Sequence, residues 1–299
     1  MEKNFGIYNN NKGELELFDT GTPQEIDGVL QRTEKKRLAV RSVLDDENQG
    51  KDNQFDRKNV VRLQKTVLYY VKTEQALVKR ALQQNQADEA AGAVQYLFLL
   101  AQKLCAVRQY DLRLTAARIR LQTVPLLQET LLNRNSKKEH IQTFDDIFRK
   151  KLDAWTKDSE IWEEYRTEGL NVYKVLTEAE QNKNVFEKAM KPLIDCCSLP
   201  YYRRVALLKQ LKEELRNRTD EQPATDLLKV IPDAMELLAL ERTQCEMVHL
   251  GLSAALTGSW QQHARTPFSG EEYNVLLTHG GIMITYPGNV KAFYVQYRD

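Results

Sequence analysis

The chain has 299 residues, 42% of them hydrophobic and 28% charged, which are the proportions of an ordinary globular protein. Its 43 lysines and arginines balance 42 aspartates and glutamates, and a net charge of +1 leaves no overall pull toward nucleic acid or an anionic membrane. With only 13 glycines and 8 prolines, the composition argues against a many-turned sandwich or barrel and for long helices.

The opening residues MEKNFGIYNN hold no apolar stretch of the signal-peptide kind. The expected compartment is therefore intracellular and cytoplasmic, with Cys105, Cys196, Cys197 and Cys245 as free thiols. Residues 5–18 alternate like a β-hairpin, with Gly13 in the turn, and open an N-terminal unit over 1–53 that ends in the polar linker 45–53. Within that unit a short helical stretch is expected near 29–42.

A helical bundle is expected over 54–258. The first long helix, 55–84, carries Val60, Leu63, Val67, Tyr70, Leu77 and Ala81 at helical spacing, with Glu74 as the one interruption. A second helix is expected from Asp88 to Leu132. Its first half is apolar almost all round, which places it at the centre of the bundle, and Pro125 is expected to kink or end it. The run 93–107 is too short and too often interrupted by polar residues to cross a bilayer.

A third helix is expected from Thr143 as N-cap, with an interruption at Asp158-Ser159. Shorter helices follow over 184–196 and 201–217, separated by Ser198-Leu199-Pro200. The last helix opens after Pro223 with Thr225 as N-cap, is kinked by Pro232, and meets Glu241 as the one polar break in its stripe.

After Gly258 the period changes. The runs 275–278, 282–286 and 291–297 read as strands, separated by turns at Gly280-Gly281 and Pro287-Gly288-Asn289, and make 259–299 a β-rich module. The fold expected is mainly α: a multi-helix bundle of long, partly kinked helices, with a small β element in which the N- and C-terminal hairpins join. Unpaired edge strands are a liability, which is the reason for joining the two ends.

No motif assembles a reaction centre. His279-Gly280-Gly281 could form part of an oxyanion hole only beside a G-x-S-x-G elbow, which is missing, so a β-turn with glycine at positive φ is expected there. Cys245 and His249 share one helix face as half of a zinc site would, but Cys196 and Cys197, being adjacent on a helix, are expected to point apart. Carboxylate pairs such as Asp145/Asp146 and Glu163/Glu164 read as solvated or dipole-facing groups. No glycine-rich phosphate loop is present, and neither cofactor nor metal is expected.

Arg108, Arg113, Arg118 and Arg120 lie along one helix and mark a partner-binding or salt-bridged face. Trp260 and Tyr294 are the aromatic candidates for partner binding, within a C-terminal set that also contains Phe268, Tyr273, Tyr286, Phe293 and Tyr297. About two-thirds of that set is expected to be core, because alternation must bury one face of a strand. The function expected is that of a non-enzymatic scaffold or adaptor that binds protein partners, self-association included. Nucleic acid is not favoured. The alternatives are a membrane-surface-binding or membrane-curving helical dimer, and an enzyme whose site is assembled only in three dimensions.

Overall fold

Apolar residues at helical spacing drive the chain into helices that bury one another, and two glutamates that break this spacing turn out to be buried with them. The computed structural model describes residues 18, 21–45, 57–106, 109–155, 157–176, 180–217, 227–260, 264–287 and 292–297. Of the expected N-terminal hairpin, residues 5–17 lie outside the described residues; Phe18 is helical, and its ring stands edge-on to Tyr69.

Helix α1 (Pro23–Asp45) is longer than the stretch expected near 29–42. Its start is a reciprocal cap: the Thr22 hydroxyl accepts from the Glu25 N–H at 3.4 Å, and Glu25 accepts from the Thr22 N–H at 2.7 Å. Helix α2 (Arg57–Gln83) buries Val67, Tyr70, Leu77 and Ala81 as its stripe requires. Glu74 is fully buried with them and is gripped by Arg41 of α1, through Nε at 3.1 Å and Nη2 at 2.6 Å.

The second expected helix is two helices, α3 (Ala87–Ala106) and α4 (Tyr110–Leu132). The break falls before Gln109, which is extended at φ −117° and ψ 132°, and α4 runs on through solvent-facing Pro125. The reason for the break is burial. An all-round apolar helix needs neighbours on several sides, and folding back packs α4 along α3, the most extensive helix contact among the described residues.

Helix α5 (Lys138–Asp153) begins five residues before Thr143. That threonine is no N-cap; it lies inside the helix and donates its hydroxyl proton to the Glu139 carbonyl at 2.8 Å. An interruption does separate α5 from α6 (Asp158–Leu176), but it falls before Asp158-Ser159, which open α6 instead of breaking a helix. Next come α7 (Glu180–Asp195), a 3-10 turn (Cys196–Ser198) and α8 (Tyr201–Asn217), in line with the two short helices expected. Thr225 lies outside the described residues. Residues 227–229 are helical, Val230 is a turn, and helix α9 (Ile231–Thr257) follows with Pro232 in its first turn, where a missing N–H costs nothing, so the expected kink is a break just ahead of the proline. Gly258 closes it at φ +67°.

Strands β1 (Asn274–Thr278), β2 (Gly281–Thr285) and β3 (Phe293–Gln296) form an antiparallel sheet in sequence order, as the change of period predicts. The turn at His279-Gly280 is present, but neither residue has positive φ. Gly281 is required for closeness instead: a Cβ there would lie 2.2 Å from the Val295 carbonyl oxygen. The turn expected at Gly288-Asn289 lies outside the described residues.

Two hydrophobic cores result. The larger joins α1 to α5, the C-terminal half of α9 and the sheet; the smaller joins α6, α7, α8 and the N-terminal half of α9, with Trp162, Tyr165 and Phe186 at its centre. Among the described residues, only α4 and α9 contribute broadly to both. Across that seam Arg120 of α4 meets Glu241 of α9, the residue that interrupts the α9 stripe, and both side chains are 3% exposed. Among the described residues no helix is long and apolar enough to cross a membrane.

Removing one partner of a buried ion pair leaves the other charged and unpaired. Glu241→Ala should therefore lower stability by about 3–5 kcal/mol, read as a lower urea midpoint at unchanged slope.

Candidate functional site

Of the four arginines singled out from the sequence, Arg108 lies outside the described residues, and only Arg118 among the others is exposed. Arg113 is turned inward and holds Glu164 of α6 through Nε at 2.9 Å and Nη2 at 3.1 Å. Arg120 is turned inward as well. Besides Glu241 it reaches the Cys105 sulfur with two nitrogens, each at 3.5 Å. The row is thus mainly a salt-bridged seam, because α4 is wrapped by α3, α6 and α9 and has little outer face. Lys151 borders this seam with its ammonium 4.0 Å from the Trp155 ring; burial, and then Arg120, lower its pKa.

Cys245 is buried, and His249 is occupied by Asp145, whose Oδ1 lies 2.8 Å from its Nδ1. No group of three or more His, Cys, Asp or Glu side chains suited to a metal occurs among the described residues. His140 is likewise held locally. Its Nδ1 accepts the Lys137 N–H at 3.2 Å and its Nε2 faces Asp88 at 2.9 Å, where Lys137 holds the Asp88 carboxyl below its ordinary range.

The aromatic candidates lead to the sheet. Tyr273, Tyr286 and Phe293 are buried, Trp260 and Phe268 partly so, and Tyr297 is exposed. Tyr294 is half-buried on the outer face, where the register aligns it with Met283 and, beyond that, with Leu276. Residues directly opposite in antiparallel strands share a face. By the same register, Leu277 belongs with Ile282 and Val295 on the inner face. Ile282 and Val295 are fully buried, for α9 packs on β2 and β3 and α4 packs on β3. Leu277 is 59% exposed and Leu276 53%, so β1 overhangs the helices that cover its neighbours.

Among the described residues, the outer edge of β1 is paired only just before the strand begins. The Tyr273 N–H donates to the Ala264 carbonyl at 3.1 Å, and Arg265 and Glu272 form an isolated bridge. Alternate N–H groups along an antiparallel strand point the same way, so those of Val275 and Leu277 also aim away from β2. No described strand lies beyond them. The sequence Asn-Val-Leu-Leu-Thr carries none of the charges or prolines that normally blunt such an edge.

Two of the clefts among the described residues border the smaller core. One, of about 730 Å³, runs along α6 beside Arg113, Glu160, Glu163, Glu164 and Glu168. Burial raises the pKa of Glu168, which accepts the Tyr110 N–H at 3.2 Å. The other, of about 690 Å³, opens where α6, α8 and α9 meet, bordered by Cys197, Arg204, Arg242 and Glu246. Arg204 pairs with Asp158 at 2.7 Å and Arg242 with Glu246 at 3.1 Å. Cys196 and Cys197 do not point apart: both thiols donate to the Leu193 carbonyl at 3.1 Å. As α7 tightens into the 3-10 turn, one thiol reaches back three residues and the other four, so the sulfurs converge. That convergence has no sequence signal beyond the Cys-Cys pair itself.

No family model matches the chain, and neither a curated protein nor a solved structure matches it significantly.

A carboxyl whose pKa is raised on folding binds its proton more tightly in the folded state. The stability this gives is present below the unfolded value and is lost as pH rises through the folded one. Thermal unfolding should therefore show a decline as pH rises from the ordinary glutamate value of 4.5 that is shallower in Glu168→Gln than in the parent chain.

Proposed function

We propose that the chain is a non-enzymatic cytoplasmic scaffold or adaptor that binds an extended segment of a partner protein along the outer edge of β1. The observation that carries this reading is the exposure of Leu276 and Leu277, adjacent residues that face opposite sides of one strand. A strand added beyond β1 would accept hydrogen bonds from Val275 and Leu277 and would cover both leucines, one from each face. Main-chain pairing of this kind supplies affinity, and alternate side chains supply selectivity.

The chemistry of the edge defines the partner segment. Asn274–Thr278 has no charge, so the complementary segment is uncharged and carries apolar residues at every second position. Its inner-face residues would lie beside Leu277 and continue the layer of Ile282 and Val295. Its outer-face residues would extend the row of Leu276, Met283 and Tyr294. The rest of the molecule supports the strand. The inner face of the sheet is seated on α9 and α4, whose ends are fixed by the two cores, so the edge is presented on a rigid platform.

Selection of displayed peptides against the whole chain should enrich uncharged sequences with alternating apolar residues. On binding, the amides of Val275 and Leu277 should gain protection from hydrogen exchange. Leu277→Lys, at an exposed position, should leave the helical circular dichroism unchanged and weaken the selected peptides by about tenfold or more. Peptides that bind Leu277→Lys as well as the parent chain would refute the edge as the docking site.

A further inference from the structure

We propose that Cys196 and Cys197 form a two-sulfur chelate for a copper(I) ion at the mouth of the cleft between α6, α8 and α9. The geometry is unusual for neighbouring residues. Both sulfurs lie 3.1 Å from one oxygen, that of Leu193, and so sit on the same side of the turn. Cys196 is half-buried, and Cys197, though 9% exposed, borders the cleft.

The turn that carries them is held by a single cation. Arg204 donates through Nε to the Leu199 carbonyl at 2.6 Å and through Nη2 to the Cys197 carbonyl at 3.2 Å, while Asp158 fixes the same Nη2 at 2.7 Å. Its remaining nitrogen, Nη1, stands 3.7 Å from the Cys197 sulfur. The guanidinium thus splints the backbone and places a buried positive charge beside the thiol pair.

The donor set selects the ion. Thiolate sulfur favours soft metals. Structural zinc takes four protein ligands, and no third Cys, His, Asp or Glu completes a group with this pair among the described residues. Copper(I) is satisfied by two thiolates. On binding, two S–H bonds break and two S–Cu bonds form; both protons pass to solvent, and no oxidation state changes. The resulting complex carries one negative charge, which Arg204 offsets.

The test uses the whole reduced chain without oxygen, titrated with copper(I) against a chromogenic copper(I) chelator. One equivalent should be retained, and binding should fall by about tenfold or more in both Cys196→Ser and Cys197→Ser, with helical circular dichroism preserved. Cys105→Ser should bind as the parent does. In the unaltered chain, bound copper(I) should suppress alkylation of Cys196 by iodoacetamide, a readout that needs no variant. Failure to retain one equivalent, retention unchanged by Cys196→Ser, or alkylation of Cys196 at an undiminished rate would overturn the proposal.

Discussion

The structure depends on buried carboxylates that meet arginines from other helices. Glu241 and Arg120 lie on the two helices that serve both cores, so their pairing sets how α4 and α9 cross and how the cores face each other. Taking two charges out of water is costly, and only close, hydrogen-bonded geometry offsets that cost. The pair is therefore a condition on the fold as much as a contribution to it. Glu74 and Arg41 impose the same condition where α1 lies on α2; Glu164, which is a quarter exposed, and Arg113 tie α6 to α4 at lower cost.

This constraint explains why the surface arginine row expected from the sequence is largely internal. A guanidinium can satisfy several acceptors at once, so it is well suited to joining helices whose apolar faces alone would allow sliding. Arg204 shows the same use on a smaller scale. One side chain binds a carboxylate, two carbonyls and a thiol, and thereby fixes the turn between α7 and α8. With these cations engaged inside, Leu276 and Leu277 of β1 are among the most exposed large apolar side chains of the described residues.

The sheet has a different logic. Its inner face is buried where β2 and β3 rest on helices, and it runs out of helix under β1. Leu277 has the identity of a core residue and the exposure of a surface one. The breaks between α3 and α4 and between α5 and α6 bear on the alternatives as well, since they divide the long rods on which the idea of a membrane-curving dimer rests.

The sequence by itself determined what local chemistry decides. The period of the apolar residues placed α2 and α9 as helices and β1, β2 and β3 as strands, and Gly258 marked the change between them because a left-handed residue ends a helix at little cost. The Thr22–Glu25 cap was equally local, and its Thr-x-x-Glu pattern was readable although α1 was expected to start later. Only tertiary structure decided the rest. Glu74 and Glu241 look like flaws in their stripes because their partners lie 33 and 121 residues away along the chain. The break near Gln109 has no proline or glycine to announce it; it follows from the need of α3 for a neighbour. The exposure of Leu277 depends on where a helix stops on the far side of the sheet, and the approach of the two thiols depends on backbone tightening at the end of α7. In each case the deciding group is remote in sequence or is the backbone itself, and neither is written in the pattern of neighbouring side chains.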